Sequence, residues 1–420
     1  MASRAPLPPG RVVSLEEALA IIEPGDEVFV HSACAEPRTL IEGLCAEARR
    51  GSARLRGVTL LALTYRGPGE PPPYADTALL AESGLRLKTF FPIPALKEAF
   101  AANLVDYVPA SFAAIPGLLR AGLLRPAAAL LQVSLPDHLG RCSFGPSAAL
   151  VPAILELGIP IIAEMNRRCP FVGGVLAPME RFAAIVESDR DLVEAPPAPV
   201  GPLERRIAEN VAELVPDGAT VQLGVGAISE AVFQCLAARR DLGLAGSAVL
   251  EGAVDLIRSG AVTNLHKPID QGKTVGSLLL GGRRLFDFAH ENPSLELAGI
   301  DHCNSPINVA RYPRFTSINS ALEVDYWGQV NAESLGATPF AGAGSQVDYA
   351  VGAWHGPESK AIIALPSATP SGRPRIVPRL NGVPVTNPRQ LAQFVVTEKG
   401  IADLRGRSLG ERERLLRAIA

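Results

Sequence analysis

The chain of 420 residues lacks several features that mark whole classes of protein. Its six cysteines form no CxxC pair, which argues against a zinc site of the usual spacing. No segment reaches eighteen uninterrupted apolar residues, and prolines stand where a signal peptide would need an apolar run. We therefore expect a cytoplasmic protein with reduced thiols, no metal and no membrane partner.

The chain is also poor in aromatic residues and in net charge. Aromatic residues make up 5% of the sequence, the formal net charge is -3, and there is no basic tail or block. This charge distribution gives no indication of a nucleic-acid partner. Ala, Gly, Leu, Val and Pro are abundant, and 47% of the residues are hydrophobic. This composition is typical of an α/β enzyme. The length predicts two or three domains.

Two parts of the chain repeat the same order of local signals. A Pro-Gly-Asp turn at 24–26 precedes an apolar run, a small-residue loop at 32–35 and a helical pattern. An Asp-Gly turn at 217–218 likewise precedes an apolar run, the loop Gly224-Val225-Gly226-Ala227 and a second helical pattern. We interpret this as one α/β unit used twice.

A proline-rich stretch, residues 187–206, is the best linker between the two copies. Downstream, Glu204 to Val215 has helical spacing of apolar residues and predicts the first helix of the second half. Short strand-like runs alternate with helical stretches, at 58–63, 128–133, 159–163 and 361–365. This alternation predicts mainly parallel sheets, in which ligands lie at the carboxyl ends of the strands.

Three segments between Phe315 and Gly406 carry the most specific signal: FTSINSALEVDYWGQVNAESLG, FAGAGSQVDYAVGA and VVTEKGIADLRGRSLGER. In this order they resemble the C-terminal half of the family I CoA-transferases, the acetyl-CoA hydrolase/transferase family. Segments of the first half resemble the same family, including GDEVFVHSACAEPRTLIEGL and IAEMNRRCPFVGG. The resemblance covers nearly the whole chain.

The resemblance implies a fold and a ligand. Family members consist of two similar open α/β domains with mainly parallel sheets, the NagB/RpiA/CoA-transferase-like fold. We therefore predict one domain at residues 1–195 and a second at 203–420, the second carrying most of the coenzyme A site. The implied partners are an acyl-CoA and a small carboxylic acid or water, and family members are commonly homodimers.

One residue departs from the family pattern at the most important position. CoA-transferases of this family work through a glutamate, which forms an acyl-glutamyl anhydride and then a glutamyl-CoA thioester. The segment that holds this glutamate, patterned roughly LGIHTEMFSDGVVDL, matches Leu242 to Leu256 without a gap. Ser247 stands at the glutamate position, and Ala245 replaces a histidine.

Three interpretations of this departure compete. A shift of four residues would bring Glu251 into the role, although Glu251 already matches the family's aspartate. Ser247 itself would serve as nucleophile only with an adjacent base, and none of the six histidines is near it in sequence. In the third interpretation, which we favour, the glutamyl relay is lost and the site hydrolyses, rearranges or only binds acyl-CoA.

The resemblance also assigns oxyanion donors and polar groups. It implies backbone N–H donors from Gly224-Val225-Gly226 and from Gly342-Ala343-Gly344, which would make an oxyanion hole. Asn319 would lie beside the thioester, and Glu398 would orient it or act as general base on a water. Without the resemblance, each of these residues has a purely structural interpretation. The glycines would close tight turns, Asn319 would be a turn or cap residue, and Glu398 would precede a helix that starts at 401–404.

A substrate pocket is implied in the first half. Ala35-Glu36-Pro37 resembles the family's Ala-Glu-Pro at the carboxylate pocket. Phe171 stands where the family has an arginine. The pocket therefore lacks a residue that could bind a carboxylate through two hydrogen bonds, which argues against a small acid such as acetate as the substrate. Arg283 and Arg284 would meet CoA phosphates or remain solvated surface.

These observations together predict an acyl-CoA-using enzyme of this family with an altered transfer step. Two alternatives stay open. The chain could transfer CoA through another carboxylate, or it could be a non-catalytic acyl-CoA binder or partner subunit.

Overall fold

The computed structural model describes residues 10–63 and 71–420. Its contacts divide the chain into two compact units. The first contains the residues up to Pro109 together with Ala114–Ala195 and Leu278–Gly299. The second contains Ala110–Ala113, Pro196–Ser277 and Ile300–Ala420.

The helices of both units are short, between four and twelve residues. In chain order they are α1 (Leu15–Leu19), α2 (Arg38–Arg49), α3 (Thr77–Ser83), α4 (Lys97–Ala101), α5 (Ile115–Arg120), α6 (Val151–Glu156), α7 (Pro202–Glu213), α8 (Ala227–Leu236), α9 (Ala253–Arg258), α10 (Arg283–Ala289), α11 (Ile300–Cys303), α12 (Pro306–Val309), α13 (Gln346–His355) and α14 (Leu409–Ala418).

The first unit contains a seven-stranded sheet in which all neighbouring strands are parallel. Its strands are β1 (Glu27–Val30), β2 (Thr59–Ala62), β3 (Arg86–Thr89), β4 (Val105–Tyr107), β5 (Ala128–Val133), β6 (Ile161–Asn166) and β7 (Ala184–Ser188), in the order β7-β6-β5-β1-β2-β3-β4. Every residue of β5 and β6 is buried, because parallel sheets are covered on both faces.

The second unit contains a six-stranded sheet. Its strands are β8 (Thr220–Leu223), β9 (Gly243–Leu244), β10 (Thr316–Asn319), β11 (Lys360–Ala364), β12 (Phe394–Thr397) and β13 (Gly400–Asp403), in the order β9-β8-β10-β11-β12-β13. Neighbouring strands are parallel except for the edge hairpin of β12 and β13. The carboxyl ends of four central strands therefore meet at one edge.

Short strands and bridges complete the units. They lie at Arg141–Ser143, Gly173–Gly174, Leu176–Pro178, Ala248–Leu250, Thr274–Gly276, Leu278–Leu280, Leu295–Leu297, Glu323–Asp325, Val330–Asn331, Ser334–Leu335, Thr338–Pro339 and Ile376–Val377. Glu323–Asp325 pairs with Val330–Asn331 and with Ile376–Val377, forming a small sheet. Its residues Val324, Val330 and Ile376 belong to the same buried core cluster as Val395 of the six-stranded sheet.

The repeat read from the sequence is present in the structure. In each unit a short buried strand, β1 or β8, runs into a small-residue loop and then into a helix, α2 or α8. The four predicted strand runs correspond to β2, β5, β6 and β11. The α/β class with mostly parallel sheets is therefore confirmed.

Two local predictions differ from the structure. The helix expected from Glu204 begins at Pro202, inside the predicted linker, because proline at the first helical turn has no N–H that needs an acceptor. Residues 401–404, expected to start a helix, instead lie in and just after β13, which pairs with β12; the helix α14 begins only at Leu409.

Candidate functional site

The loop Gly224-Val225-Gly226 leaves β8 at the carboxyl edge of the second sheet and leads into α8. The Gly224 N–H donates to the Ile318 carbonyl of β10 over 2.8 Å, and a Cβ at Gly224 would lie 3.1 Å from Asn319 Oδ1. Gly226 has φ of +133°, which side-chain-bearing residues rarely adopt. Glycine is therefore favoured at 224 because Asn319 lies close to its backbone, and at 226 because of the backbone conformation.

Asn319 ends β10 beside this loop, and its carboxamide is held by a neighbouring strand. Asn319 Nδ2 donates to Gln222 Oε1 over 3.0 Å, and Gln222 Nε2 donates back to Asn319 Oδ1 over 3.4 Å. Gln222 is 3% exposed. The reciprocal pair fixes the plane of the Asn319 amide and leaves it one further N–H to donate.

Ser247 lies in the segment after β9, and its neighbour Gly246 packs on the same amide pair. A Cβ at Gly246 would lie 3.0 Å from Gln222 Cγ and 3.7 Å from the Tyr349 hydroxyl. Ser247 Oγ is 3.3 Å from Ser345 Oγ, directly after the loop Gly342-Ala343-Gly344. The structure thus brings Ser247 to the second glycine loop, 98 residues away in the chain.

The hydroxyl neighbours of Ser247 are poor bases. Ser345 is another alcohol, and burial raises the pKa of the Tyr349 hydroxyl well above its ordinary value. Tyr349 in turn donates to Asn304 Oδ1 over 2.9 Å. Among the residues that the structure describes, Ser247 is hydrogen-bonded to no histidine and no carboxylate. A serine nucleophile in the manner of a hydrolase triad lacks its base here.

Glu251, the alternative candidate for the catalytic glutamate, makes no hydrogen bond to Ser247. It lies close enough to Glu230 of α8 to raise the pKa of that carboxyl, together with the larger effect of burial, to about 7. Glu230 Oε2 is also 3.0 Å from the point that a Cβ on Gly252 would occupy. Glu251 therefore belongs to a carboxyl pair at the turn into α9.

Glu398 follows β12 at the same edge, two strands from Asn319. Its carboxylate accepts hydrogen bonds from the Ser367 hydroxyl over 2.6 Å and the Ser367 N–H over 2.9 Å. Burial raises the pKa of Glu398, but these hydrogen bonds outweigh it and hold the pKa below the ordinary value. The carboxylate is ionised at neutral pH, and no hydrogen bond in the described chain joins it to Asn319.

In the first unit, Ala35-Glu36-Pro37 forms the junction between β1 and α2. Ala35 closes a 3-10 turn, Pro37 caps α2, and Glu36 is 1% exposed. The Tyr74 hydroxyl donates to Glu36 Oε2 over 3.1 Å. A buried, hydrogen-bonded carboxylate of this kind supports the loop.

Phe171 lies in another part of the first unit, on a loop held by α10. Its N–H donates to His290 Nδ1 over 3.0 Å. The residues before it border a cavity of about 470 Å³ that is also lined by Arg168 and Arg283. Both arginines already have acidic partners, because Arg168 binds Asp189 and Asp191 and Arg283 binds Asp287 over 2.8 Å. Arg283 is thus a less available phosphate ligand than its sequence position suggested.

Several contacts of the site were not found from sequence. Gln222 sits inside the apolar run before the glycine loop, and a polar residue in a central buried strand was its only signal. Ser345 and Ser367 gave no signal at all, since their partners Ser247 and Glu398 are far along the chain.

Residues 10–63 and 71–420 contain neither a cluster of metal-ligating side chains nor a helix that could span a membrane. No group of three or more His, Cys, Asp or Glu side chains is arranged to hold a metal ion. No helix in that part of the chain is long and apolar enough to cross a membrane.

Comparison with known proteins identifies relatives along the whole chain. Residues 9–195 match the family model "Acetyl-CoA hydrolase/transferase N-terminal domain", and residues 281–420 match "Acetyl-CoA hydrolase/transferase C-terminal domain". A 4-hydroxybutyrate coenzyme A transferase of Clostridium kluyveri is 34% identical over 413 residues, covering 98% of this chain and 94% of that protein.

Two further relatives agree with this result. A succinyl-CoA:acetate/propanoyl-CoA:succinate CoA transferase of Fasciola hepatica is 34% identical over 410 residues, covering 96% of this chain and 84% of that protein. The crystal structure of RipA from Yersinia pestis superposes with a TM-score of 0.89 at 30% identity, covering 98% of this chain and 94% of the RipA chain.

Proposed function

Because this chain belongs to the acetyl-CoA hydrolase/transferase family, whose members act on CoA thioesters, we propose that it converts an acyl-CoA without forming a glutamyl-CoA intermediate. The reaction proposed is hydrolysis to the free acid and CoA. The proposal depends on the predicted match of Ser247 with the family's glutamate position. The observation that supports it is that Ser247 Oγ lies 3.3 Å from the Ser345 hydroxyl and is hydrogen-bonded to no carboxylate among the described residues.

In the proposed reaction, water attacks the thioester carbonyl. The carboxylate of Glu398 takes the proton of that water, and the N–H groups of Val225 and Gly344 stabilise the oxyanion that forms. Collapse of the tetrahedral intermediate breaks the carbon–sulfur bond and expels the CoA thiolate, which takes up the proton from Glu398. Asn319, held by Gln222, donates its remaining N–H toward the acyl group.

Ionisation of Glu398 supports its role as the base. The hydrogen bonds from Ser367 keep the carboxylate charged at neutral pH and fix its orientation. A base with a lowered pKa is weak, so we expect slow turnover compared with a base near neutrality.

The experiment is to incubate the chain with a panel of acyl-CoAs in the presence of a thiol reagent. We expect release of free CoA that does not depend on an added carboxylic acid, and incorporation of one oxygen from labelled water into the product acid. Glu398→Gln should lower the rate by about 100-fold or more. The matched control is Glu413→Gln, a partly exposed carboxylate paired with Arg417. No CoA released from any acyl chain would refute hydrolysis.

CoA transfer through another carboxylate is the second candidate, favoured by the transferases among the relatives. Borohydride or hydroxylamine trapping during turnover, followed by peptide mass mapping, separates the two reactions. A labelled glutamate or aspartate would establish transfer, whereas an active preparation without label supports hydrolysis.

A further inference from the structure

Glu398 lies in the two-residue turn that joins β12 to β13. β12 ends at Thr397 and β13 begins at Gly400, and these two residues pair across the hairpin. The other turn residue, Lys399, is exposed. Turns on the surface are more mobile than the strands that they connect. A carboxylate in such a turn keeps one orientation only if contacts from outside the turn fix its backbone.

Thr397, the residue before Glu398, makes two such contacts through its side chain. It ends the apolar run FVVT of β12 and is 0% exposed. Its hydroxyl donates to the carbonyl of Ile419, at the end of α14, over 2.8 Å and accepts from the Lys399 N–H over 3.1 Å. One buried hydroxyl therefore ties the turn both to itself and to the end of a helix.

The backbone of Thr397 is held by a third contact, from α7. Asn210 is a polar residue on the buried side of α7 and is 8% exposed. Its Nδ2 donates to the Thr397 carbonyl over 2.8 Å, between positions 187 apart in the chain. This carbonyl belongs to the planar peptide unit that leads into Glu398. The Asn210 bond therefore fixes the plane from which the Glu398 side chain starts.

The orientation of the turn decides whether the Glu398 carboxylate reaches Ser367. The Leu365 N–H donates to the Val396 carbonyl over 3.0 Å, so the pairing of β11 with β12 continues almost to the turn. Beyond it, the Ser367 hydroxyl donates to the carboxylate over 2.6 Å. A displacement of the turn by about 1 Å would stretch this bond beyond hydrogen-bond length. Burial raises the pKa of Glu398, and only the hydrogen bonds from Ser367 outweigh it.

We propose that Thr397 is a positioning residue for Glu398, held through its carbonyl by Asn210 and through its hydroxyl by the end of α14. This inference rests on the proposed function, because it takes Glu398 as the base of the reaction. Thr397 itself is fully buried and acts only through the turn.

The test compares Thr397→Val, which keeps the side-chain shape without the hydroxyl, with Thr397→Ser, which keeps the hydroxyl. We expect Thr397→Val to lower kcat for CoA release about tenfold or more with little change in KM, because a displaced base is misaligned with its water. The acid limb of the kcat/KM profile should move to higher pH by about half a unit or more, since the bonds that favour the charged carboxylate weaken. Thr397→Ser should retain the wild-type kcat and profile.

A second variant and a control separate positioning from general stability. Asn210→Leu removes the contact from α7 and should change kcat and the acid limb in the same direction as Thr397→Val. The matched control is Ser359→Ala, which removes another buried hydroxyl of the same unit. Ser359 accepts from the Phe315 N–H over 3.1 Å just before β11, at the opposite edge of the sheet. It should lose stability in denaturant unfolding and keep the wild-type kcat and pH profile.

A measurement without turnover keeps this inference separate from the proposed reaction. NMR of the chain labelled with ¹³C at the glutamate carboxyls follows the pKa of Glu398, whose signal is the one missing in Glu398→Gln. A higher pKa in Thr397→Val than in the wild type and Thr397→Ser supports the positioning role, and it does so even in a chain that releases no CoA, which would refute hydrolysis alone. Equal pKa values in all three proteins, or a folded Thr397→Val with unchanged kcat and acid limb, would overturn the inference, because the contacts would then only stabilise the hairpin.

Discussion

Introducing a carboxylate at position 247 tests directly whether Ser247 stands at the position of the family's catalytic glutamate. In Ser247→Glu the new side chain reaches further than serine by two carbon atoms and ends in a carboxylate near Ser345, whose hydroxyl is 3.3 Å from the present Ser247 Oγ. If the position is equivalent to the family's glutamate, the carboxylate attacks the thioester carbonyl and expels the CoA thiolate. The thiolate then attacks the anhydride, releases the acid and leaves a glutamyl-CoA thioester.

The structure limits the cost of this substitution. The variant loses one hydroxyl hydrogen bond, worth about 1 kcal/mol, and can regain a charge-assisted one from the Ser345 hydroxyl. Ser247 is only partly buried, so the new charge keeps some contact with water. We expect the free energy of unfolding to fall by less than about 2 kcal/mol. The effect on acid-dependent CoA transfer should be much larger, about 100-fold or roughly 2.7 kcal/mol of barrier.

The assay measures CoA transfer from an acyl-CoA to a panel of acids, with borohydride trapping and mass mapping of the peptide that contains residue 247. Ser247→Gln has nearly the same shape without the charge and should show neither transfer nor label. Ser247→Asp is one methylene shorter and should show much less. A folded Ser247→Glu protein that gains neither transfer nor a label at 247 would refute the equivalence of this position with the family's glutamate.

Three further predictions concern the supporting contacts. Gln222→Met should lower kcat about tenfold with little change in KM, because Gln222 acts only through Asn319. In an Asn319→Ala background, Gln222→Met should have no further effect on kcat. An additive loss of kcat in the double variant would contradict this positioning role of Gln222. Gly224→Ala places a Cβ 3.1 Å from Asn319 Oδ1 and should lower kcat, whereas Gly410→Ala, also outside the positive-φ region and with open space around its Cβ, is the control and should leave kcat unchanged. Burial raises the pKa of Asp348 to about 6, above its ordinary 3.8. Ionisation of Asp348 therefore lowers the free energy of unfolding by about 3 kcal/mol as pH rises from about 4 to 6, and Asp348→Asn should remove this loss. Denaturant unfolding of both proteins at the two pH values measures it. The same change with pH in the wild type and the variant would disprove the prediction.

Local signals determined a large part of the fold. A short apolar run between turn residues specifies a buried strand wherever it lies in the chain, so β2, β5, β6 and β11 could be read from sequence. Glycine at 226 likewise follows from a local backbone conformation. The exception at 401–404 has a tertiary cause, because a partner strand, β12, pairs with this segment as an antiparallel edge.

For the site, the sequence supplied the residue types and the structure supplied their partners. The sequence alone predicted that serine stands at the family's glutamate position at 247, and that the glycine loops, Asn319 and Glu398 belong to the site. Only the tertiary structure showed the hydrogen-bond partners of these residues. Gln222 accepts a hydrogen bond from Asn319, and the Ser345 and Ser247 hydroxyls are hydrogen-bonded to each other. The Ser367 hydroxyl donates to Glu398. Asn210 and Ile419 both bind Thr397, next to Glu398. Such contacts join residues tens of positions apart, and periodicity and turn chemistry act over only a few residues, so no local pattern encodes them.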